Sequence, residues 1–347
     1  MKKTVSLLLI IITLCTIFTA CAKNDTIKND SPKIRTIIDM SGNKVNIPDV
    51  VDNYALVFAG DFDIAAMLDG CEHMSAFSET VLKYKWVKKA YPQLNERIKL
   101  PRRNISVETI VESGAQVVIL RENDYPDLAK ELNAINIPVV DLNFSNFEEL
   151  KQCVTIFAEI MNTDEIKAKA EKYNAYLDGE IKYAEDFRKR NNLNDDYTVL
   201  TLRDADDLEA YSPDRMMAAW SNACGLTYSL KSAPNNQNIK LTVEQILEYN
   251  PDYIIFSFDG NVDKFMANEK VSTLNAVKNN HVYQSATVIN SFIVNGVEVA
   301  LQMKWMYSLI YSDLVDFDLI QITKDFYKEF FELELTDEET IDILGIK

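Results

Sequence analysis

Five arginines lie in or next to predicted loops of a strongly acidic chain, and their side chains are well suited to bind an anion. The 347-residue sequence contains 36 Lys and Arg against 53 Asp and Glu, a formal net charge of −17. That balance opposes nucleic acid or an anionic membrane as a partner, so an anionic ligand must meet a local group of cations. Guanidinium groups bind carboxylate and phosphate oxygens in pairs. We therefore predict an anion site that includes Arg102, Arg103, Arg121, Arg203 and Arg215. Arg102 and Arg103 are adjacent in an extended segment and point to opposite sides, so only one should lie in the site.

Acidic residues offer a second chemistry. Asp204, Asp206 and Asp207 follow a predicted strand and could serve as the paired carboxylates of a surface-anchored hydrolase or as oxygen ligands of a cation. The sequence shows no nucleophile elbow and no phosphate-binding glycine loop, and it contains only nine glycines. Its two histidines, His73 and His281, are too few for a multi-histidine metal site or a histidine-based triad. A solvated acidic loop is the simpler explanation, and we predict a protein that is not an enzyme and has no cofactor or resident metal.

A long charged helix is predicted over residues 162–192. Asn162 is a suitable N-cap, and the acidic start and the basic end at 188–190 suit the helix dipole. Such a helix would span about 40 Å, more than a crossover within one small sheet requires, so we interpret it as a rigid connection between two lobes. Its apolar positions recur every three or four residues and predict one buried stripe: Ile166, Ala170, Tyr173, Leu177, Ile181, Ala184 and Phe187.

A capped helix followed by an apolar run occurs on both sides of this connection. Ser106 precedes VETIVE at 107–112 and the run at 117–120, and Thr242 precedes VEQILE at 243–248 and the run at 253–256. The tripeptide LNA occurs at 132–134 and again at 274–276. This repetition indicates duplicated α/β units. We predict an α/β fold with two lobes of mostly parallel sheet, residues 35–161 and 193–347, whose strand ends face each other across a ligand cleft.

The first residues are predicted to be a targeting segment. Lys2 and Lys3 precede an apolar stretch at 5–18 that is too short and wrongly flanked for a membrane span. The sequence FTAC at 18–21 resembles a bacterial lipoprotein processing box, with an ordinary secretory signal as the alternative. We expect a signal peptide at 1–20, a lipid on Cys21 and a polar tether over 21–34. Besides Cys21, three cysteines remain in the mature chain, and their odd number and wide spacing predict buried thiols.

Several stretches, in order along the chain, resemble the solute-binding proteins of ABC importers for iron–siderophore complexes, haem and cobalamin. They are DMSGNKVNIP at 39–48, the two repeated units at 105–120 and 241–256, LNAVKNNHVY at 274–283 and FYKEFF at 326–331. This resemblance covers nearly all of the mature chain and implies two lobes joined by a single rigid helix. Together with the predicted lipid on Cys21, it implies a protein held on the extracytoplasmic face of the cell membrane. Such a protein would deliver a ferric siderophore, or alternatively haem or cobalamin, to a permease and its ATPase.

The same resemblance implies particular contacts. One carboxylate per lobe, at the third position of the capped helix, would dock on permease arginines, and the matching residues are Glu108 and Glu244. Complementing the helix dipole is their alternative role. A chelate would need flat aromatic surface beside the arginines. The aromatic candidates are Tyr84, Trp86, Tyr125, Tyr211 and Phe258. We expect both histidines and Trp220 to be structural. A lipoprotein that only scaffolds partner proteins, through a large apolar surface patch, is a further alternative.

Overall fold

The structure is a computed structural model that describes residues 33–194, 197–233, 238–257 and 261–346. The predicted signal peptide, Cys21, nearly all of the tether and Phe258 lie outside these residues. From Ile34 onward the chain forms one compact unit, and the predicted boundaries of the two lobes stay predictions. None of the helices in the described ranges is long and apolar enough to cross a membrane.

The elements before the long helix, here called the first lobe, comprise a hairpin and a parallel sheet. Strands β1 (Ile34–Ile38) and β2 (Lys44–Pro48) pair antiparallel. The five-stranded sheet has the order β5-β4-β3-β6-β7, and every pairing in it is parallel. Its strands are β3 (Tyr54–Leu56), β4 (Met74–Ser78), β5 (Ile98–Leu100), β6 (Val117–Leu120) and β7 (Val139–Asp141).

Five α-helices accompany this sheet, and strands β3, β4, β6 and β7 are buried at every position because hydrophobic clusters lie on both faces. The helices are α1 (Phe62–Asp69), α2 (Lys85–Ala90), α3 (Val107–Glu112), α4 (Pro126–Ala134) and α5 (Phe147–Met161). All eight residues of α1 are buried, and Gly70 ends that helix with φ 58°, a left-handed conformation that favours glycine. Helix α3 begins at the predicted cap, where Ser106 Oγ accepts a hydrogen bond from the N–H of Thr109.

The long helix is α6 (Asp164–Asn191), and its start differs from the prediction. Thr163 is the N-cap, whereas Asn162 has φ 56° and ends α5 in the left-handed conformation that asparagine tolerates. The buried stripe also differs at one position. Glu180, not Ile181, is buried, because its carboxylate pairs with Lys304 Nζ at 2.5 Å. A periodicity of apolar residues cannot identify a buried charge whose partner is on another helix.

The elements after α6, here called the second lobe, form a six-stranded mixed sheet. Its order is β11-β9-β8-β12-β13, with β10 paired to β8. Strands β8, β10, β12 and β13 are mutually parallel, whereas β9 and β11 are antiparallel to their neighbours. The strands are β8 (Tyr197–Leu202), β9 (Glu209–Ala210), β10 (Leu226–Tyr228), β11 (Ile239–Lys240), β12 (Tyr253–Phe256) and β13 (Val282–Gln284).

The described part of this lobe contains seven α-helices: α7 (Met216–Cys224), α8 (Val243–Tyr249), α9 (Val262–Met266), α10 (Asn275–Lys278), α11 (Val299–Ile310), α12 (Leu319–Phe331) and α13 (Asp337–Leu344). Helix α8 carries the predicted cap at Thr242, completed by Gln245 into a capping box. Trp220 is fully buried in α7, and the three described cysteines are buried and free, as predicted.

The lobes share more than α6. One hydrophobic cluster contains residues of both lobes and of α6, and α12 packs on α1 of the first lobe. The segment between β13 and α11 also crosses to the first lobe, where Asn295 Nδ2 donates to the carbonyl oxygen of Phe144 at 2.6 Å. These contacts favour small movements between the lobes over wide opening.

Candidate ligand-binding cleft

A cavity of about 300 Å³ lies between the lobes, at the carboxyl ends of their strands. The first lobe contributes the turn after β3 at residues 58–60 and the residue after β6, Arg121. Strands β3 and β6 are neighbours from which the strand order runs in opposite directions. Such a switch point is where an open parallel sheet leaves a crevice for a ligand. The second lobe contributes Arg203, which follows β8, and Tyr211, which follows β9.

Most of the predicted ligand residues line this cavity. They are Tyr84, Arg102, Arg121, Tyr125, Arg203, Tyr211 and Arg215. Arg102 is among them and Arg103 is not, in agreement with the expectation that only one of the pair would face the site. The cleft therefore combines aromatic and guanidinium groups from both lobes.

Trp86 departs from the prediction. Its side chain is buried in α2 and borders a different depression, between residues 83–86 and the segment at 284–288. The ammonium group of Lys89, one turn later in the helix, lies 4.3 Å from the centre of the indole ring. Trp86 is thus packed by its own helix and is a structural residue. Phe258 lies outside the described residues.

Arg121 is the most buried cation of the cleft. It is 3% exposed, and its Nη2 donates to Asp61 Oδ1 at 2.7 Å. The guanidinium carbon lies 4.0 Å from the ring centre of Phe58 and 5.1 Å from that of Phe144. Burial raises the pKa of the Asp61 carboxyl to about 6, although Arg121 acts in the opposite direction. Arg121 therefore forms part of the cleft floor, with Asp61 beside it.

The second lobe presents its arginines on the wall opposite. Arg203 Nη1 lies 3.1 Å from Glu209 Oε2, across the turn between β8 and β9. Tyr211 shares a hydrogen bond of 2.7 Å with Ser257 Oγ, and burial raises the pKa of its hydroxyl to about 12. The pKa of Arg215 is lowered, first by burial and then by the charge of Arg121 in the other lobe. Cations of the two lobes are thus close enough to repel each other, and an anion between them would relieve that repulsion.

Charge in the cleft has the opposite sign to the charge of the whole chain. Among the residues that the structure describes, five cationic side chains line the cavity: Lys83, Arg102, Arg121, Arg203 and Arg215. The acidic residues lining it in the same described ranges are Asp124 and Glu209, with Asp61 bonded to Arg121. In a protein of formal charge −17, this local excess of cations points to an anionic ligand.

Sequence reasoning missed several polar residues that line the cavity. They are Lys83, Asp124, Glu209, Asn238, Asn290 and Asn295. Asn290 and Asn295 belong to the segment after β13, and Tyr84 hydroxyl donates to Asn290 Oδ1 at 3.3 Å across the lobes. The rule that ligands lie beyond the carboxyl ends of strands, applied to β13, would have identified this segment.

The acidic loop after β8 does not form a catalytic pair. Asp204 Oδ1 accepts hydrogen bonds from the backbone N–H groups of Asp206 and Asp207, at 3.0 and 2.7 Å. Asp206 pairs with Lys264, and Asp207 pairs with Lys240 at 2.5 Å. Within the described parts of the chain, no group of three or more His, Cys, Asp and Glu side chains could hold a metal ion. These aspartates form a solvated loop stabilised by lysines, as the simpler explanation predicted.

Glu108 and Glu244 occupy equivalent, exposed positions in the first turns of α3 and α8. The pKa of each carboxyl is lowered, first by a backbone N–H of the helix terminus and then by the hydroxyl of the cap, Ser106 or Thr242. Each glutamate therefore complements its helix terminus. Docking through the same pair stays a prediction.

Comparison with known proteins adds a family and a fold. A family model described as "Periplasmic binding protein" matches residues 82–286. No curated protein shows significant similarity to the chain. Among solved structures, a periplasmic solute-binding protein from Veillonella parvula is 23% identical, with a TM-score of 0.76, over 90% of this chain and 99% of that one.

Two further solved structures have the same fold. The molybdate periplasmic binding protein MolA of Haemophilus influenzae, bound to molybdate, is 19% identical with a TM-score of 0.77, over 87% of this chain and 99% of that one. CeuE of Helicobacter pylori, with Ni(II) bound, is 18% identical with a TM-score of 0.74, over 89% and 99% of the two chains. Structural similarity at such low sequence identity shows that the chains share a fold, and the coverage shows that their lengths are similar.

Proposed function

The chain belongs to the periplasmic binding protein family, and from that premise we propose that it is the extracytoplasmic ligand-binding lipoprotein of an ABC importer for ferric siderophores. The observation that carries this proposal is the convergence of cationic side chains from both lobes on one cleft of an acidic protein. Siderophores present carboxylate or catecholate oxygens, which guanidinium groups bind well. Haem, with two carboxylates, and cobalamin, with one phosphate, are the alternative ligands within the same role.

The size of the cleft restricts how such a ligand would bind. A volume of about 300 Å³ is at the small end for ligand pockets. A siderophore of several hundred daltons must then project from the cleft, or the lobes must separate slightly to admit it. Tyr84, Tyr125 and Tyr211 offer flat surfaces on which the exposed part of such a ligand could pack.

We further propose that the mature protein is held at the membrane by a lipid on Cys21 and transfers its ligand to a permease with its ATPase. The proposal rests on the sequence at 18–21 and on the polar residues that follow it. A Cys21→Ser variant should no longer incorporate radiolabelled palmitate and should be recovered from the soluble fraction. Retention of label in this variant would contradict lipidation at Cys21.

Ligand titration tests the central proposal. We would follow tryptophan fluorescence of residues 22–347, which contain the whole compact unit from Ile34, during addition of ferric siderophores, haem or cobalamin. One siderophore should quench saturably, and Arg203→Ala should weaken its binding about tenfold or more because a charge-assisted contact is lost. Arg103→Ala is the matched control, since that arginine does not line the cavity, and it should bind as the unmodified protein does. Saturation by haem or cobalamin alone would reassign the ligand, and a flat response to the whole panel would contradict the proposal.

A further inference from the structure

The buried pair of Asp61 and Arg121 lies at the floor of the cleft. Asp61 ends the turn after β3, and Arg121 follows the adjacent strand β6. Their side chains are 0% and 4% exposed, and the bond between them measures 2.7 Å. A pair so removed from water is weakly screened, so the charge on either member affects the cavity above it.

The position of Arg121 does not depend on Asp61 alone. Its guanidinium group lies against the rings of Phe58 and Phe144, at 4.0 and 5.1 Å. Arg121 Nε and Asp61 Oδ2 are both buried, and neither has a hydrogen-bond partner among the described residues. A single bond therefore joins the two charges, while the aromatic rings hold the guanidinium group in place. The charge that Asp61 supplies can be separated from the placement of Arg121.

We propose that Asp61 is a specificity-determining residue, which compensates the charge of Arg121 beneath the cleft and so limits how strongly the cleft favours ligands of higher negative charge. This inference rests on the proposed role of the cleft as an anion site. With Asp61 ionised, the floor is neutral and the arginines of the walls attract the ligand. Without that carboxylate charge, the floor carries one additional positive charge, and a dianion gains more from it than a monoanion does.

Burial makes the charge of Asp61 sensitive to pH near neutrality by raising its pKa; Arg121 lowers that pKa, and nearby carboxylates raise it further. Arg121 lies opposite, Asp63 is on the same helical segment, Asp124 follows β6 and Asp141 ends β7. Cys153 of α5 and Arg215 of the second lobe lie near Arg121. Because the pKa of Asp61 is raised to about 6, the floor should be neutral at pH 8 and carry a positive charge at pH 5.

Two tetrahedral anions of similar size test whether Asp61 limits the preference of the cleft for dianions: sulfate, a dianion, and perchlorate, a monoanion. Binding of each to residues 22–347 would be followed by isothermal titration calorimetry at pH 8 and constant ionic strength. Asp61→Asn should raise the sulfate-to-perchlorate affinity ratio about tenfold, as expected for one uncompensated charge about 8 Å from the anion at an effective dielectric constant of about 30. An unchanged ratio would overturn the proposal.

Two variants separate the charge of Asp61 from its structural role. Asp61→Asn combined with Arg121→Gln leaves the floor neutral, so the ratio should return to that of the unmodified protein even if both affinities fall. Asp63→Asn also neutralises a fully buried carboxylate, but one bonded to Val297 N–H instead of an arginine, and should raise the ratio less than Asp61→Asn does. A raised ratio in the double variant, or a rise in Asp63→Asn equal to that in Asp61→Asn, would contradict the assignment to Asp61.

If Asp61→Asn fails to fold, the unmodified protein still provides a test. Its ratio should rise about tenfold between pH 8 and pH 5 as Asp61 takes up a proton, and Asp63→Asn should keep most of this rise. A ratio that does not vary with pH, or absence of sulfate binding, would overturn the inference. The siderophore titration is independent, so a flat siderophore response with sulfate bound would refute the proposed ligand and leave the role of Asp61 standing.

Discussion

Asp63 Oδ2 accepts a hydrogen bond from the backbone N–H of Val297 at 2.8 Å, so a carboxyl group of α1 in the first lobe holds the segment that leads into α11 of the second. The next residue, Glu298, is fully buried and accepts hydrogen bonds from Tyr327 and from the backbone N–H of Ile289. Two carboxyl groups thus lie in the interior where the lobes meet, close to the floor of the cleft.

Stability should fall as the pH rises toward neutrality, in part because of Asp63. Burial raises the pKa of its carboxyl from 3.8 to about 7, the Val297 N–H acts in the opposite direction, and Asp61 adds to the increase. The folded state therefore binds more protons than the unfolded state between about pH 4 and pH 7, and the free energy of unfolding decreases over that interval. Well above pH 7 Asp63 is ionised in both the folded and the unfolded state. Its stabilising contribution is then lost, and Asp63 no longer makes the free energy of unfolding depend on pH.

Asp63→Asn should reduce this pH dependence, since the amide cannot ionise. Between pH 4.5 and 7.5 the free energy of unfolding should fall less in the variant than in the unmodified protein, by on the order of 3 kcal/mol. Urea denaturation at the two pH values measures the difference. Parallel loss of stability in both proteins would show that Asp63 is not the titrating group.

Gly296→Ala should destabilise the contact between the lobes. A Cβ at this position would lie 2.1 Å from Asp63 Oδ2 and 2.8 Å from Asn290 Nδ2, so the interface would have to shift. We expect a loss of about 1–3 kcal/mol or more in the free energy of unfolding.

Gly179→Ala in α6 is the matched control for Gly296→Ala. A Cβ at Gly179 would meet no heavy atom of the described chain within 4 Å. This helical position should therefore gain about 0.5–1 kcal/mol, because alanine restricts the unfolded chain more than glycine does. Denaturation curves with equal midpoints for the two variants would contradict the expectation.

Lys304→Met should destabilise the protein more than replacement of the whole buried pair. Lys304 Nζ lies 2.5 Å from the carboxylate of Glu180, and the two residues are 8% and 7% exposed. Removing the lysine alone leaves a buried carboxylate without its cation, at a cost of about 3–5 kcal/mol, whereas Glu180→Leu with Lys304→Met should recover most of that loss. Guanidinium denaturation of the single and the double variant measures the free energy of unfolding of each. A double variant no more stable than the single one would show that the carboxylate was not the source of the loss.

Glu108→Gln and Glu244→Gln together should reduce ligand uptake by cells without reducing ligand affinity, if these residues dock on permease arginines. Both are exposed in the first turns of their helices, so the fold should not depend on them. Uptake of the labelled ligand and its affinity for the purified protein would be measured side by side.

Glu112→Gln with Glu248→Gln provides the control for docking. Both residues are exposed on the same two helices, α3 and α8, but lie away from the N-termini. This pair of variants should import normally. If cells with either pair of variants take up the ligand equally well, docking is contradicted, and Glu108 and Glu244 only complement their helix dipoles.

Local sequence was sufficient for much of the architecture. Ser106 and Thr242 cap their helices as predicted, because an N-cap bonds to a backbone N–H only three residues away. Arg121 and Arg203 could be placed at the cleft from the sequence, since each directly follows a buried strand and parallel strands present their carboxyl ends at one edge. The family resemblance agreed with this arrangement.

The tertiary structure decided what depended on distant residues. Trp86 is buried in the hydrophobic core instead of lining the cleft. Glu180 is buried beside Lys304, which is 124 residues away in the sequence, and Asp61 pairs with Arg121 across 60 residues. Periodicity and strand position follow from interactions over a few residues, so the sequence by itself determined the two α/β units, the long helix and the arginines at the strand ends. Which charges are paired, and which side chains face the ligand, depends on how the elements pack, and only the folded chain brings those groups together.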